Sequence, residues 1–114
     1  MKTLAQLSLD DRDRAAIAEA VRLLRSRFPI ERVMLYGSKV RGTDDKESDI
    51  DLLVLTSRVL GWKERDAITD ALFDIELAHG VVISSLILPA AEWERGRFSV
   101  LPIHEEIEDS GVLI

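Results

Sequence analysis

Residues 37 to 51 read Gly-Ser-Lys-Val-Arg-Gly-Thr-Asp-Asp-Lys-Glu-Ser-Asp-Ile-Asp. Gly37-Ser38 form a bend in which a missing Cβ lets backbone N–H groups come close to an anion. Asp49 and Asp51, two apart at the head of an apolar run, are hard oxygen donors of the kind that hold Mg²⁺. A bend that accepts phosphate oxygens, with a carboxylate pair holding the cation that neutralises them, is a way for a small chain to hold a nucleoside triphosphate.

Two other readings of these residues fail on their own terms. A P-loop needs Gly-x4-Gly-Lys-Ser/Thr. Gly37 and Gly42 meet the glycine spacing, but Thr43 stands where the phosphate-binding lysine should be. An EF-hand beginning at Asp44 has Lys46 at its third position, Asp49 at its glycine position and Leu55 where a bidentate Glu belongs.

For the two halves of the site to act together, the surrounding elements must bring them to one place. Ser8 reads as an N-cap with Asp10 and Asp11 in the first turn. Ile17, Val21, Leu24 and Phe28 recur at helical spacing, which predicts a helix over residues 9 to 27, ended by Pro29. Residues 32 to 36 read as a short buried strand that runs directly into Gly37-Ser38. Lys39 to Arg41 fit one helical turn, and a polar loop follows through Ser48. Residues 49 to 56 read as a second strand, whose period of two points Asp49 and Asp51 to one face and Ile50 and Leu52 to the other. Ile68, Leu72, Ile75 and Ala78 predict an amphipathic helix over residues 62 to 79, capped by Gly80. Residues 81 to 88 form a third strand closed by Pro89, and short helices are expected near residues 91 to 95 and 103 to 109. The order αβ(turn)βαβα predicts an α/β (α+β) fold: a small mixed β-sheet with both intervening helices on one face, leaving the other free for a ligand or partner.

The 114 residues contain no Pro/Gly/Ser-rich linker, so a single domain over residues 1 to 114 is expected. Apolar residues make up 46% and charged residues 32%, the balance of a soluble globular protein. Cysteine is absent, which excludes a disulfide framework and a thiolate metal site and fits a reducing compartment. No stretch reads as a signal peptide or membrane span, so a cytoplasmic location is expected. A net charge of −6 argues against a broad nucleic-acid footprint, because that affinity comes from Lys and Arg. Asp44, Asp45 and Glu47 read as ordinary solvated loop residues. His79 and His104 have no spaced ligand partners, and Trp62, Trp93 and Phe98 read as packing or interface residues.

Tyr36-Gly37-Ser38 and, after a loop, Asp49-Ile50-Asp51-Leu52 resemble the signature of the nucleotidyltransferase superfamily related to DNA polymerase beta. Arg41-Gly42 is similar to the Arg-Gly common in its minimal nucleotidyltransferase (MNT) branch, whose members often serve as antitoxins beside a HEPN-domain ribonuclease. The resemblance implies that Gly37 and Ser38 hold the phosphates, with Lys39 and Arg41 adding positive charge near the triphosphate. It also implies that Asp49 and Asp51 bind Mg²⁺ and that AMP passes from ATP to a protein hydroxyl. Active members of the family usually carry a third carboxylate on the next strand. Here the corresponding positions, Val82 or Ser84, are not acidic, and other acids lie at Asp45, Glu47, Asp74 and Glu76. Two functions lead: a Mg²⁺-dependent nucleotidyltransferase, and an MNT-fold antitoxin with little catalysis that acts by binding a HEPN partner; the acidic balance argues against a third, a nucleic-acid or antibiotic nucleotidyltransferase subunit. Homo-oligomers are compatible with both.

Overall fold

The computed structural model describes residues 3–42 and 48–114. Its first helix, α1 (Asp11–Arg27), carries Asp11 and Asp13 in the first turn and Arg25 and Arg27 in the last, charges that complement the helix dipole at both ends. It starts later than the residue-9 start expected. Arg14 accounts for the difference: its guanidinium donates to the carbonyls of Leu4 at 3.1 Å and Leu7 at 2.7 Å. With Leu7 buried as well, the preceding residues are held as a separate 3-10 turn over Leu4–Gln6.

Strand β1 (Ile30–Tyr36) follows Pro29, which cannot continue the helix. A short α2 (Ser38–Arg41) leads by way of residues 43 to 47, outside the described set, to β2 (Ile50–Thr56). The chain then forms α3 (Trp62–His79), β3 (Ile83–Pro89), α4 (Ala90–Glu94), a 3-10 turn over Arg97–Val100, α5 (Pro102–Ser110) and β4 (Val112–Leu113). The third strand begins two residues later than expected because the Val81 N–H is taken by the Glu76 carbonyl at the end of α3. It runs on to Pro89, which is tolerated as the last residue of an edge strand.

The sheet order is β3-β2-β1-β4. β2 runs antiparallel to β1 and parallel to β3, with α3 as the crossover that a parallel pair requires. β4 was not expected; it pairs antiparallel with β1 through Met34↔Leu113 and Leu35↔Val112.

Strand periodicity sorts the core into two layers. Val33 and Leu35 of β1 and Leu52 and Val54 of β2 face α1 and α3, where they meet Ile17, Leu24, Ile68 and Ile75. Met34, Leu53 and Leu55 point the other way. The expectation that this second face stands free is corrected: Trp93 of α4 and Ile107 of α5, both fully buried, pack on it with Leu88 and Ala90. The Trp93 indole N–H donates to Glu108 at 2.7 Å. Arg32 of β1 reaches Glu94 and Glu108 at 3.7 and 3.8 Å, which ties the covering helices to the sheet. The described architecture is a mixed four-stranded sheet with helices on both faces.

Candidate functional site

The site lies where β1 ends. Tyr36, the last residue of β1, pairs with Asp51 of β2, so the antiparallel register alone brings the bend beside the carboxylate. Gly37 has φ +82° and ψ −154°, a region that only glycine occupies without strain. The same residue leaves room for the acid, since a Cβ on Gly37 would come within 2.3 Å of Asp51 Oδ2. Behind the bend, the N–H groups of Val40 and Arg41 donate to the Gly37 carbonyl at 3.1 and 3.2 Å, which fixes the turn of α2. Ser38 opens that turn and is half-buried. Gly37, Ser38 and Asp51 are therefore brought together, and Asp49 lies exposed one residue before β2.

The electrostatics favour a cation. Asp51 has its pKa raised above the usual carboxylate value by burial first and then by Asp49 and Glu106, against a lowering by Arg41 and Lys39. Tyr36 is likewise pushed up, by burial and by the charges of Asp51 and Glu106. Asp51 with Asp49 and Glu106 near it forms a local excess of negative charge, and an oxygen-only donor pair suits a hard divalent ion such as Mg²⁺. Among the described residues, no group of three His, Cys, Asp or Glu side chains is arranged to hold a metal.

The parallel register with β3 places Ser84 beside Asp51, so an uncharged, exposed residue stands on the neighbouring strand where a third acid would fit. Asp74 and Glu76 belong to α3, which packs on the opposite face of the sheet. Asp45 and Glu47 lie outside the described residues, as does Asp44.

The two cations expected near the phosphates have different surroundings. Lys39 is buried, and its Nζ lies 2.8 Å from Asp13 Oδ2, with both side chains almost wholly enclosed. Its charge reaches Asp51, and it forms a buried ion pair with Asp13 of α1. Arg41 stays half-exposed, with Nη1 2.6 Å from Glu106 Oε1 of α5. Neither Asp13 nor Glu106 was singled out from the sequence. A signal for Asp13 was present, because it stands on the same helical stripe as Ile17, Ala20 and Leu24. Nothing in the α5 sequence marks what Glu106 faces.

The aromatic and histidine expectations sort by environment. Trp93 is a core residue, and its ring lies 4.5 Å from that of His104. Trp62 is exposed beneath the Lys63 ammonium. His79, at the end of α3, has Nε2 2.5 Å from Glu19 Oε2 of α1.

A family model described as polymerase beta, nucleotidyltransferase matches residues 19–91, a span that includes the bend and the Asp pair. Two Methanocaldococcus jannaschii proteins, provisionally named protein adenylyltransferases, are similar in sequence. One is 36% identical over 58 residues, covering 51% of this chain and 59% of that protein. The other is 35% identical over 74 residues, covering 63% and 69%. The matched region thus spans less than two thirds of the first relative. Among solved structures, a toxin–antitoxin with AMP-PNP aligns with a TM-score of 0.60 at 19% identity, over 91% of this chain and 72% of that one. A mutant of the toxin–antitoxin MntA-HpeT aligns with a TM-score of 0.59 at 19% identity, over 94% and 72%. A Sulfolobus solfataricus protein, provisionally described as a nucleotidyltransferase, aligns with a TM-score of 0.54 at 22% identity, over 93% and 87%. At these identities the structural likeness is one of fold.

Proposed function

Because the chain belongs to the polymerase beta nucleotidyltransferase family, we propose that it transfers AMP from ATP to a protein hydroxyl in a Mg²⁺-dependent reaction, as the antitoxin of a HEPN partner. The observation that carries this reading is the seating of the Asp51 carboxylate directly against the Gly37 bend. The names of the archaeal relatives supply the reaction class, and the toxin–antitoxin structures supply the class of partner.

In this reading Gly37 and Ser38 receive the terminal phosphates, and the half-exposed Arg41 guanidinium supplies positive charge at their edge. Lys39, held by Asp13, pins α2 to α1 and so positions the bend from behind. Asp49 and Asp51 would hold the metal, which when bound neutralises the triphosphate and polarises the α-phosphate. The acceptor oxygen bonds to the α-phosphorus as the bond to the bridging oxygen of the β-phosphate breaks. Pyrophosphate leaves with that electron pair, and the hydroxyl proton passes to solvent.

Ser84 favours a second reading. Among the described residues, the β3 position beside Asp51 carries no base for the acceptor proton, and an antitoxin that binds nucleotide and neutralises its partner by association alone fits that feature. The two are separated by incubating the chain with labelled ATP, Mg²⁺ and the HEPN partner. Label on the partner, lost in the Asp49→Asn/Asp51→Asn double variant, is the expected result. Neutralisation without label, persisting in that variant, establishes the second reading.

A further inference from the structure

We propose that Glu106 on α5 controls phosphate access to the bend by holding the Arg41 guanidinium in the place of a nucleotide's terminal phosphates. This rests on the nucleotide-binding reading given above and adds a regulator to the same site.

The geometry is specific. Arg41 closes the turn that begins at Ser38, and its Nη1 meets Glu106 Oε1 at 2.6 Å. The carboxylate is not carried on a loose segment, because the next residue, Ile107, is fully buried in the second core and its carbonyl accepts the Gly111 N–H at 2.7 Å. Glu106 is therefore presented at a fixed place, on the face of the sheet that Asp51 shares with Leu53 and Leu55. Its charge is felt by both Asp51 and Tyr36, so it borders the site as well as Arg41.

The chemistry is that of exchange. Carboxylate and phosphate bind a guanidinium through the same planar fork of donors. The two side chains are 48% and 46% exposed, and an ion pair so open to water contributes little net stability. An incoming polyphosphate can displace Glu106 from Arg41 at small cost, whereas a nucleoside monophosphate, lacking the terminal phosphates, gains nothing from doing so. Glu106 thus penalises every ligand by its charge and returns Arg41 only to one long enough to claim it.

The test is nucleotide titration by calorimetry in Mg²⁺, at low and high salt, on the whole chain. The expected result is that Glu106→Gln lowers the Kd for ATP by roughly threefold or more, with a smaller change for AMP, and that salt narrows the difference. In an Arg41→Gln background the same substitution should give no such gain for ATP. An unchanged or raised ATP Kd in Glu106→Gln overturns the proposal. So does an equal gain without Arg41, which would mean diffuse repulsion instead of exchange. Mg²⁺-dependent ATP binding that ignores Asp49→Asn/Asp51→Asn overturns the proposed function while leaving the Arg41–Glu106 comparison readable. A chain that binds no ATP with or without Glu106 overturns both.

Discussion

Asp51 holds its charge against opposition from three sides: β2 half-buries it, Asp49 stands nearby, and Glu106 approaches from α5. A carboxyl whose folded pKa lies above its unfolded value near 3.8 binds its proton more tightly in the native state. That contribution to stability is present at acid pH and is lost as pH rises through the folded pKa, so at neutral pH the ionised group costs stability. Asp51→Asn should therefore raise the melting temperature at pH 7, and the gain should shrink as the pH is lowered toward 4. Mg²⁺ should raise the melting temperature of the native chain at pH 7 and have a smaller effect on the variant, as thermal scans at several pH values will read. At this scale the sequence was informative, because Gly-Ser and Asp-x-Asp carry their chemistry in residue type and spacing. What spacing could not supply is the register that puts Tyr36 opposite Asp51 and Ser84 beside it, since pairing across strands depends on the whole sheet.

Helices α1 and α3 and the first two strands announce themselves by apolar periodicity, and the structure places them within a few residues of expectation. β4 does not, because two residues are too short to show a period, and the four residues of α2 show only as the single helical turn expected over Lys39 to Arg41. That brevity also hid the role of Lys39. Beside the bend it reads as a charge for phosphate, whereas the fold buries it 2.8 Å from Asp13 and so couples α2 to α1. Removing one partner of such a pair deprives the other of its buried counter-charge. Lys39→Met should cost about 3–5 kcal/mol, and adding Asp13→Leu should recover most of it, because two well-packed apolar side chains can replace a buried ion pair at little loss. Urea denaturation of the two single variants and the double variant measures this, and strict additivity would refute the coupling.

Over the whole molecule, the greatest departure from expectation is the second apolar layer. Reading helices α1 and α3 as the cover for one face is right, but the segment after Pro89 was too weakly patterned to reveal that Trp93 and Ile107 close the other. Trp93→Ala should cost about 3–5 kcal/mol through the cavity it leaves. The Glu108 carboxylate also loses its indole donor. Chemical denaturation followed by far-UV circular dichroism gives the stability loss, and calorimetry on the folded variant tests whether α5 still presents Glu106 to Arg41. The same layer bears on how the protein is made. β1 and β2 emerge from the ribosome well before α4 and α5, so through the synthesis of α3 and β3 the nascent chain must carry Met34, Leu53 and Leu55 without their eventual cover. Such a half-clothed sheet is a natural client for chaperones and a hazard for aggregation until translation has passed Ile107.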